Sequence, residues 1–207
     1  MTAAFTRSLR VIIPLLGACA LALTAGTSEA RGELLGPGCG TRTLSQPFMR
    51  WLDYARYFPV PGGSFESKTP AWTLAGGAKV AAGNEPFYVR SAADKFSLAL
   101  PAGSSATTPP MCVDSDELTL RLFAQSPGTV LSVLRIEALV TNLGITIALP
   151  VGVVPGVLRG WSPTLPTVFA VSLDQLLAGS TVRFRFRPLL FGTWRIDDTY
   201  VDPFKDR

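Results

Sequence analysis

Apolar residues recur at every second position along much of this chain. Leu118, Leu120 and Leu122 share one face of an extended segment, with Thr119 and Arg121 on the other. Val130, Leu134, Ile136, Ala138 and Val140 line the next run. The turn Asn142-Leu143-Gly144 then leads to Ile145, Ile147 and Leu149, which predicts a hairpin. Phe96, Leu98 and Leu100 form an earlier stripe, and Phe169, Val171 and Leu173 a later one. Val182, Phe184 and Phe186 form a further stripe, with Arg183, Arg185 and Arg187 opposite. No comparably long stretch keeps a 3.6-residue period; Asp174 to Ala178 fits one helical turn. Gly and Pro, 19 and 17 in number, punctuate these runs. Eight or nine short strands separated by turn signals predict an all-β chain, an antiparallel β-sandwich with two sheets over one core. The segment from Pro101 to Pro110 reads as a loop within that domain.

The first thirty residues read differently. Arg7 and Arg10 precede an apolar run from Val11 to Ala25, and Ser28-Glu29-Ala30 supplies small residues for cleavage. This is the pattern of a secretory signal peptide over residues 1–30. Its apolar run is shorter than the about 20 residues a spanning helix needs, and Pro150 and Pro155 interrupt the apolar stretch from Gly144 to Leu158. No membrane span is expected. The alternative is a lipobox at Leu16-Gly17-Ala18-Cys19, which would leave the protein lipid-anchored through Cys19. Residues 31–44 are polar and Gly-rich, a flexible lead-in, and residues 45–207 form the sandwich domain.

Export changes the reading of the cysteines. Beyond the signal only Cys39 and Cys112 remain. In an oxidising compartment two such residues are expected to form a disulfide, the alternative being two buried thiols. The formal charge of +4 argues against nucleic acid, which requires a concentrated basic face. The chain has no His, which excludes Ser-His-Asp and Cys-His catalysis and His-based zinc sites.

Three segments carry a resemblance. They are Gly62-Gly63-Ser64-Phe65-Glu66 followed by Trp72; Trp161 with the stretches from Val168 to Leu173 and Val182 to Phe186; and Ile196-Asp197-Asp198 with Tyr200-Val201. In order and spacing they resemble secreted jelly-roll carbohydrate-binding modules of the galactose-binding-like superfamily. The chain also resembles secreted actinobacterial proteins of unknown function that carry stretches like PGGSFE, GNEP, PAGSSA and WRIDDxYVDP. The first resemblance implies a jelly-roll sandwich and a structural calcium ion at its rim, held by Glu66, Asp197 and Asp198 with backbone carbonyls. Calcium takes six to eight hard oxygens, and Gly62 and Gly63 would let carbonyls turn toward an ion. The alternative for Asp197 and Asp198 is pairing with Arg195 or with backbone N–H groups.

The same resemblance implies a sugar site, and flat aromatic rings are the side chains that stack on sugars. Trp51, Tyr54, Tyr57 and Trp161 are the candidate ligand-binding residues; Tyr88 and Tyr200 are also available, while Trp72 and Trp194 read as core. The arginine stripe on Val182–Phe186 fits either an acidic polymer or a solvated sheet face. No nucleophile elbow, P-loop or dinucleotide motif is present. A glycosidase needs only two carboxylates, and Asp53, Glu66, Glu85, Glu117 and Glu137 are available. The expected function is therefore an exported, non-catalytic carbohydrate-binding protein that meets polysaccharide or cell-wall glycan. The alternatives are a wall-associated structural or protein-interaction domain, and a small carboxylate-dependent glycoside hydrolase.

Overall fold

The computed structural model describes residues 42–67, 71–112, 119–157, 160–168 and 180–202. Among them, strands dominate and the helical content is one 3-10 turn, Met49–Trp51. The strands are β1 (Phe58–Pro59), β2 (Thr73–Ala75), β3 (Lys79–Ala82), β4 (Phe96–Pro101), β5 (Ser105–Thr107) and β6 (Thr119–Gln125). They continue as β7 (Val133–Asn142), β8 (Ile145–Pro155), β9 (Ser162–Pro163), β10 (Thr167–Val168), β11 (Thr181–Leu189) and β12 (Thr193–Asp202).

They form two antiparallel sheets, an all-β sandwich. The first runs β10-β6-β12-β4-β3, with β1 on β12 and β9 on β6. The second runs β2-β5-β11-β7-β8. Alternation explains the core directly: Leu98, Leu100, Leu120, Leu122, Trp194 and Ile196 face inward from the first sheet, and Leu134, Ile136, Phe184 and Phe186 from the second. Trp72 stacks on Phe186 at 5.3 Å. Both core indoles find acceptors, Trp72 Nε1 donating to the Pro61 carbonyl and Trp194 Nε1 to Ser132 Oγ. The hairpin expected at Asn142-Leu143-Gly144 joins β7 to β8.

Several expectations need correction. The stretch from Pro101 to Pro110 is not all loop: Ser105–Thr107 is strand β5, whose backbone pairs with β2 and β11. Val130 is exposed and precedes β7. Residues 42–44 of the lead-in pack on the domain, with Leu44 against the core and the Arg42 guanidinium over the Phe58 ring at 3.9 Å. The signal segment, Cys39, Glu117, the stripe at Phe169, Val171 and Leu173, and the turn at Asp174–Ala178 lie outside the described residues. Among the described residues no helix is long and apolar enough to cross a membrane.

Thr119 and Arg121, on the face of β6 opposite the leucines, are buried as well. The outer face of the first sheet carries a second apolar cluster, built from Phe48, Tyr57, Phe123 and Tyr200, with Trp51, Phe87 and Trp161 packed around it. The segment from Ser45 to Tyr57 lies over that face. It closes on itself through Ser45 N–H to the Tyr57 carbonyl (2.9 Å) and Tyr57 N–H to the Ser45 carbonyl (2.8 Å).

Candidate functional site

The loop over the outer face builds a cleft. Its 3-10 turn ends at Leu52, whose φ of 62° places it in the left-handed region, and Leu52 N–H returns to the Met49 carbonyl. That reversal brings Asp53 over the sheet. Its carboxylate accepts from Ala55 N–H at 3.0 Å and from the Tyr57 hydroxyl and Arg121. Arg121 also donates from Nε to the Thr164 carbonyl at 2.7 Å and lies over the Phe48 ring at 4.3 Å. Burial opposes ionisation of Asp53. The Tyr57 hydroxyl, the Ala55 N–H and Arg121 outweigh it, so the carboxyl sits below its usual range.

Around this ion pair, Trp51, Leu52, Asp53, Tyr54, Ala55, Arg121 and Pro166 line a cleft of about 570 Å³. Tyr54 is 63% exposed at its rim. Trp51 is half-buried, held edge-on by Phe87 at 4.8 Å and Phe123 at 5.3 Å. The fold thus brings together two of the four candidate aromatics. Tyr57 is corrected: it is 0% exposed, beneath Phe48, and its hydroxyl is committed to Asp53, so no ring face is available to a ligand. Trp161 is half-buried away from the cleft lining, with the Arg195 guanidinium 5.8 Å from its ring. Of the lesser candidates, Tyr88 is exposed and Tyr200 buried. Arg121 and Pro166 were not legible as site residues, because nothing in the sequence shows that the outer face of β6 is covered.

The acidic candidates gather elsewhere on the first sheet. The opening segment does lie beside the closing strand: Phe58 pairs with Val201, and Val60 N–H donates to the Thr199 carbonyl at 2.9 Å. The β12 register shifts between Asp197 and Tyr200, and Asp198 takes a φ of 41°. Asp197 and Asp198 are both buried. Asp197 accepts from Glu85 N–H (3.2 Å) and Asp198 N–H (2.9 Å). Asp198 Oδ2 is buried without a hydrogen-bond partner among the described residues. Burial, then the neighbouring Asp198, pushes Asp197 up to about 9. Burial, then Glu85 and Asp94, pushes Asp198 up to about 7, against the pull of Arg90.

Arg195 does not relieve this pair. Its guanidinium turns to Ser97 Oγ and to the Ala82 and Gly83 carbonyls. Glu66 accepts from Lys95 and Phe96 N–H, both at 2.8 Å, and its charge is felt at Asp198. Among the described residues no three acidic side chains converge tightly enough to grip an ion by themselves. Glu85, also buried, was missed as a member of this group; its carboxylate accepts from Phe87, Tyr88 and Val89 N–H, closing the loop that supports Trp51.

The sequence matches no protein-family model, and no curated protein matches it. Solved structures do. The CBM22-1 xylan-binding domain of Paenibacillus barcinonensis Xyn10C is 17% identical over 68% of this chain and 90% of its own, with a TM-score of 0.47. The xylan-binding module CBM15 is 13% identical over 66% and 93%, with a TM-score of 0.44. The CBM22-1-GH10 modules of Clostridium thermocellum xylanase 10B, complexed with xylohexaose, are 10% identical over 70% of this chain and 28% of theirs, with a TM-score of 0.50. At these identities the likeness establishes the fold: a jelly-roll sandwich like those of carbohydrate-binding modules.

Proposed function

We propose that this is an exported, non-catalytic carbohydrate-binding protein of the cell exterior, and that the cleft at Trp51 and Tyr54 takes the sugar. The observation that carries this reading is an aromatic rim over a polar floor. Tyr54 and Trp51 offer ring faces to a sugar's C–H side, and the Asp53–Arg121 pair offers polar groups to its hydroxyls. The solved CBM22-1-GH10 modules, complexed with xylohexaose, lend it support by analogy of fold. The signal-like first thirty residues support export. A Cys39–Cys112 bridge, the pairing expected of two cysteines in an oxidising compartment, belongs to the same proposal.

A non-catalytic role fits the state of the carboxylates. Asp53 is ion-paired with Arg121, Glu137 with Arg135 and Arg185, and Glu66 and Glu85 are held by backbone N–H groups. A structural calcium belongs to the same proposal. The partnerless Asp198 Oδ2 and the raised pair Asp197–Asp198 fit a cation. Asp197, Asp198 and Glu66 would hold it with backbone carbonyls, Glu66 releasing its present N–H partners, and the ion would supply the missing positive charge.

A panel of neutral polysaccharides tests this on the purified protein, in calcium and again in EDTA. Saturable binding to at least one is expected. No binding by folded protein under either condition overturns the sugar reading. One observation favours a second reading, a protein-interaction domain: Leu143, Ile145 and Ile147 are 92%, 68% and 57% exposed on the β7–β8 hairpin.

A further inference from the structure

The outer face of the second sheet is unlike that of the first. Arg183, Arg185 and Arg187 project from β11, about 7 Å apart by strand geometry. In the ladder Arg187 stands directly opposite Arg135 of β7, and Arg185 opposite Glu137. Like charges in directly opposed positions destabilise a sheet. One buried carboxylate answers them: Glu137 takes Arg185 Nε at 2.7 Å and Arg135 Nε at 3.3 Å. Among the described residues, Arg183 and Arg187 have no acidic partner. Among the described residues the face therefore sets four guanidiniums against one carboxylate.

Two further observations give this face a shape. Beside the arginines, Thr107 and Ser105 of β5 and Thr73 of β2 bring hydroxyls to the same surface, since Leu74 and Ala106 point into the core. Where the row ends, Arg187 joins Ala102, Gly103, Ser104, Pro188, Leu189 and Leu190 in a cleft of about 410 Å³. Ser104 is buried there, and its Oγ has no hydrogen-bond partner among the described residues.

We propose that this face is a second binding surface, for a linear polysaccharide bearing carboxylates. The carboxylate of one sugar unit would sit at Arg187, in the cleft it lines, and further units would run along Arg185 and Arg183. A guanidinium fork matches a carboxylate in two parallel hydrogen bonds, and the adjoining hydroxyls suit a sugar's own. Nucleic acid fits less well, because it calls for a concentrated basic patch or stripe, and two of these guanidiniums, Arg135 and Arg185, are already paired with Glu137. The surface is independent of the cleft at Trp51 and Tyr54.

The test is binding of the purified protein to polygalacturonate, to a neutral xylan and to double-stranded DNA, at low and at physiological ionic strength. Polygalacturonate binding is expected, weakening with salt. Arg187→Gln should weaken it about tenfold and Arg183→Gln by a smaller factor; thermal unfolding should not be lowered, because among the described residues neither side chain is ion-paired and Arg187→Gln removes a like charge opposite Arg135. Trp51→Ala with Tyr54→Ala should leave polygalacturonate binding intact, so this proposal and the sugar cleft fail separately. Absence of polygalacturonate binding at low salt, wild-type binding by both Arg variants, or DNA bound as tightly as polygalacturonate would each overturn it.

Discussion

Asp53 and the Asp197–Asp198 pair lie on one sheet in opposite electrostatic states. Asp53 has the Tyr57 hydroxyl, a backbone N–H and the Arg121 guanidinium, and remains a carboxylate despite burial. Asp197 and Asp198 are buried more deeply and face each other and Glu85, with Arg90 the cation that favours ionisation of Asp198. The lesson is that burial alone does not decide what a carboxylate does. The partners decide it: a hydroxyl, a backbone N–H and a guanidinium hold Asp53 ionised in the cleft, while burial and neighbouring carboxylates favour the protonated form of the pair on β12.

Removing the partner should expose the difference most strongly. Arg121→Ala leaves Asp53 charged with only the Tyr57 hydroxyl and the Ala55 N–H, and strips the cation from Phe48. A loss of about 3 kcal/mol is expected in chemical denaturation, since Arg121 is buried while Asp53 is partly exposed. A loss below about 1 kcal/mol would mean that the pair is solvated and the comparison fails. Calcium should act only on the other region. An ion present at about a hundred times its dissociation constant adds about 2.7 kcal/mol. Asp198→Asn should abolish that gain while raising stability in EDTA, both read by thermal unfolding. Equal calcium responses in the two proteins would remove the metal from β12.

Acidity separates the regions by sign. The folded pair on β12 keeps protons that the unfolded chain releases near its ordinary carboxyl value. Its stabilising contribution is present below about pH 4 and is lost as pH rises through the folded values of about 7 and about 9. In EDTA, stability from this region should therefore fall from pH 5 to 9, and saturating calcium should flatten the slope. Identical slopes with and without calcium would contradict this. Asp53, lowered in the fold, contributes the opposite way, its stability lost as pH falls. The smallest effect is expected at Tyr57→Phe, about 1 kcal/mol from one lost hydrogen bond, with polysaccharide binding unchanged. Weakened binding would return Tyr57 to the site.

The sandwich was legible because period-2 alternation reports burial on one face, and Leu98, Leu122, Phe184 and Trp194 obey it. Strand β5 escaped because Ser-Ala-Thr between Gly and Pro carries a single core contact, Ala106. The cleft was half legible. Trp51 and Tyr54 stand close in sequence, but Arg121 and Pro166 reach them only through the covering of a sheet face that looked polar. Tyr57 misled because an aromatic near others reads alike whether it stacks on a ligand or on Phe48. Asp197 and Asp198 were found as a motif, but Glu85 was not, since a lone Glu in a loop carries no period.

The central claim is that the Trp51–Tyr54 cleft binds sugar. Saturation binding to neutral polysaccharides, xylan included, tests it most directly when the wild type is compared with Trp51→Ala, Tyr54→Ala and both together. The account predicts saturable binding that each substitution weakens about tenfold and that the folded double variant loses. Undiminished binding by the double variant, or none by the wild type across the panel, would contradict it.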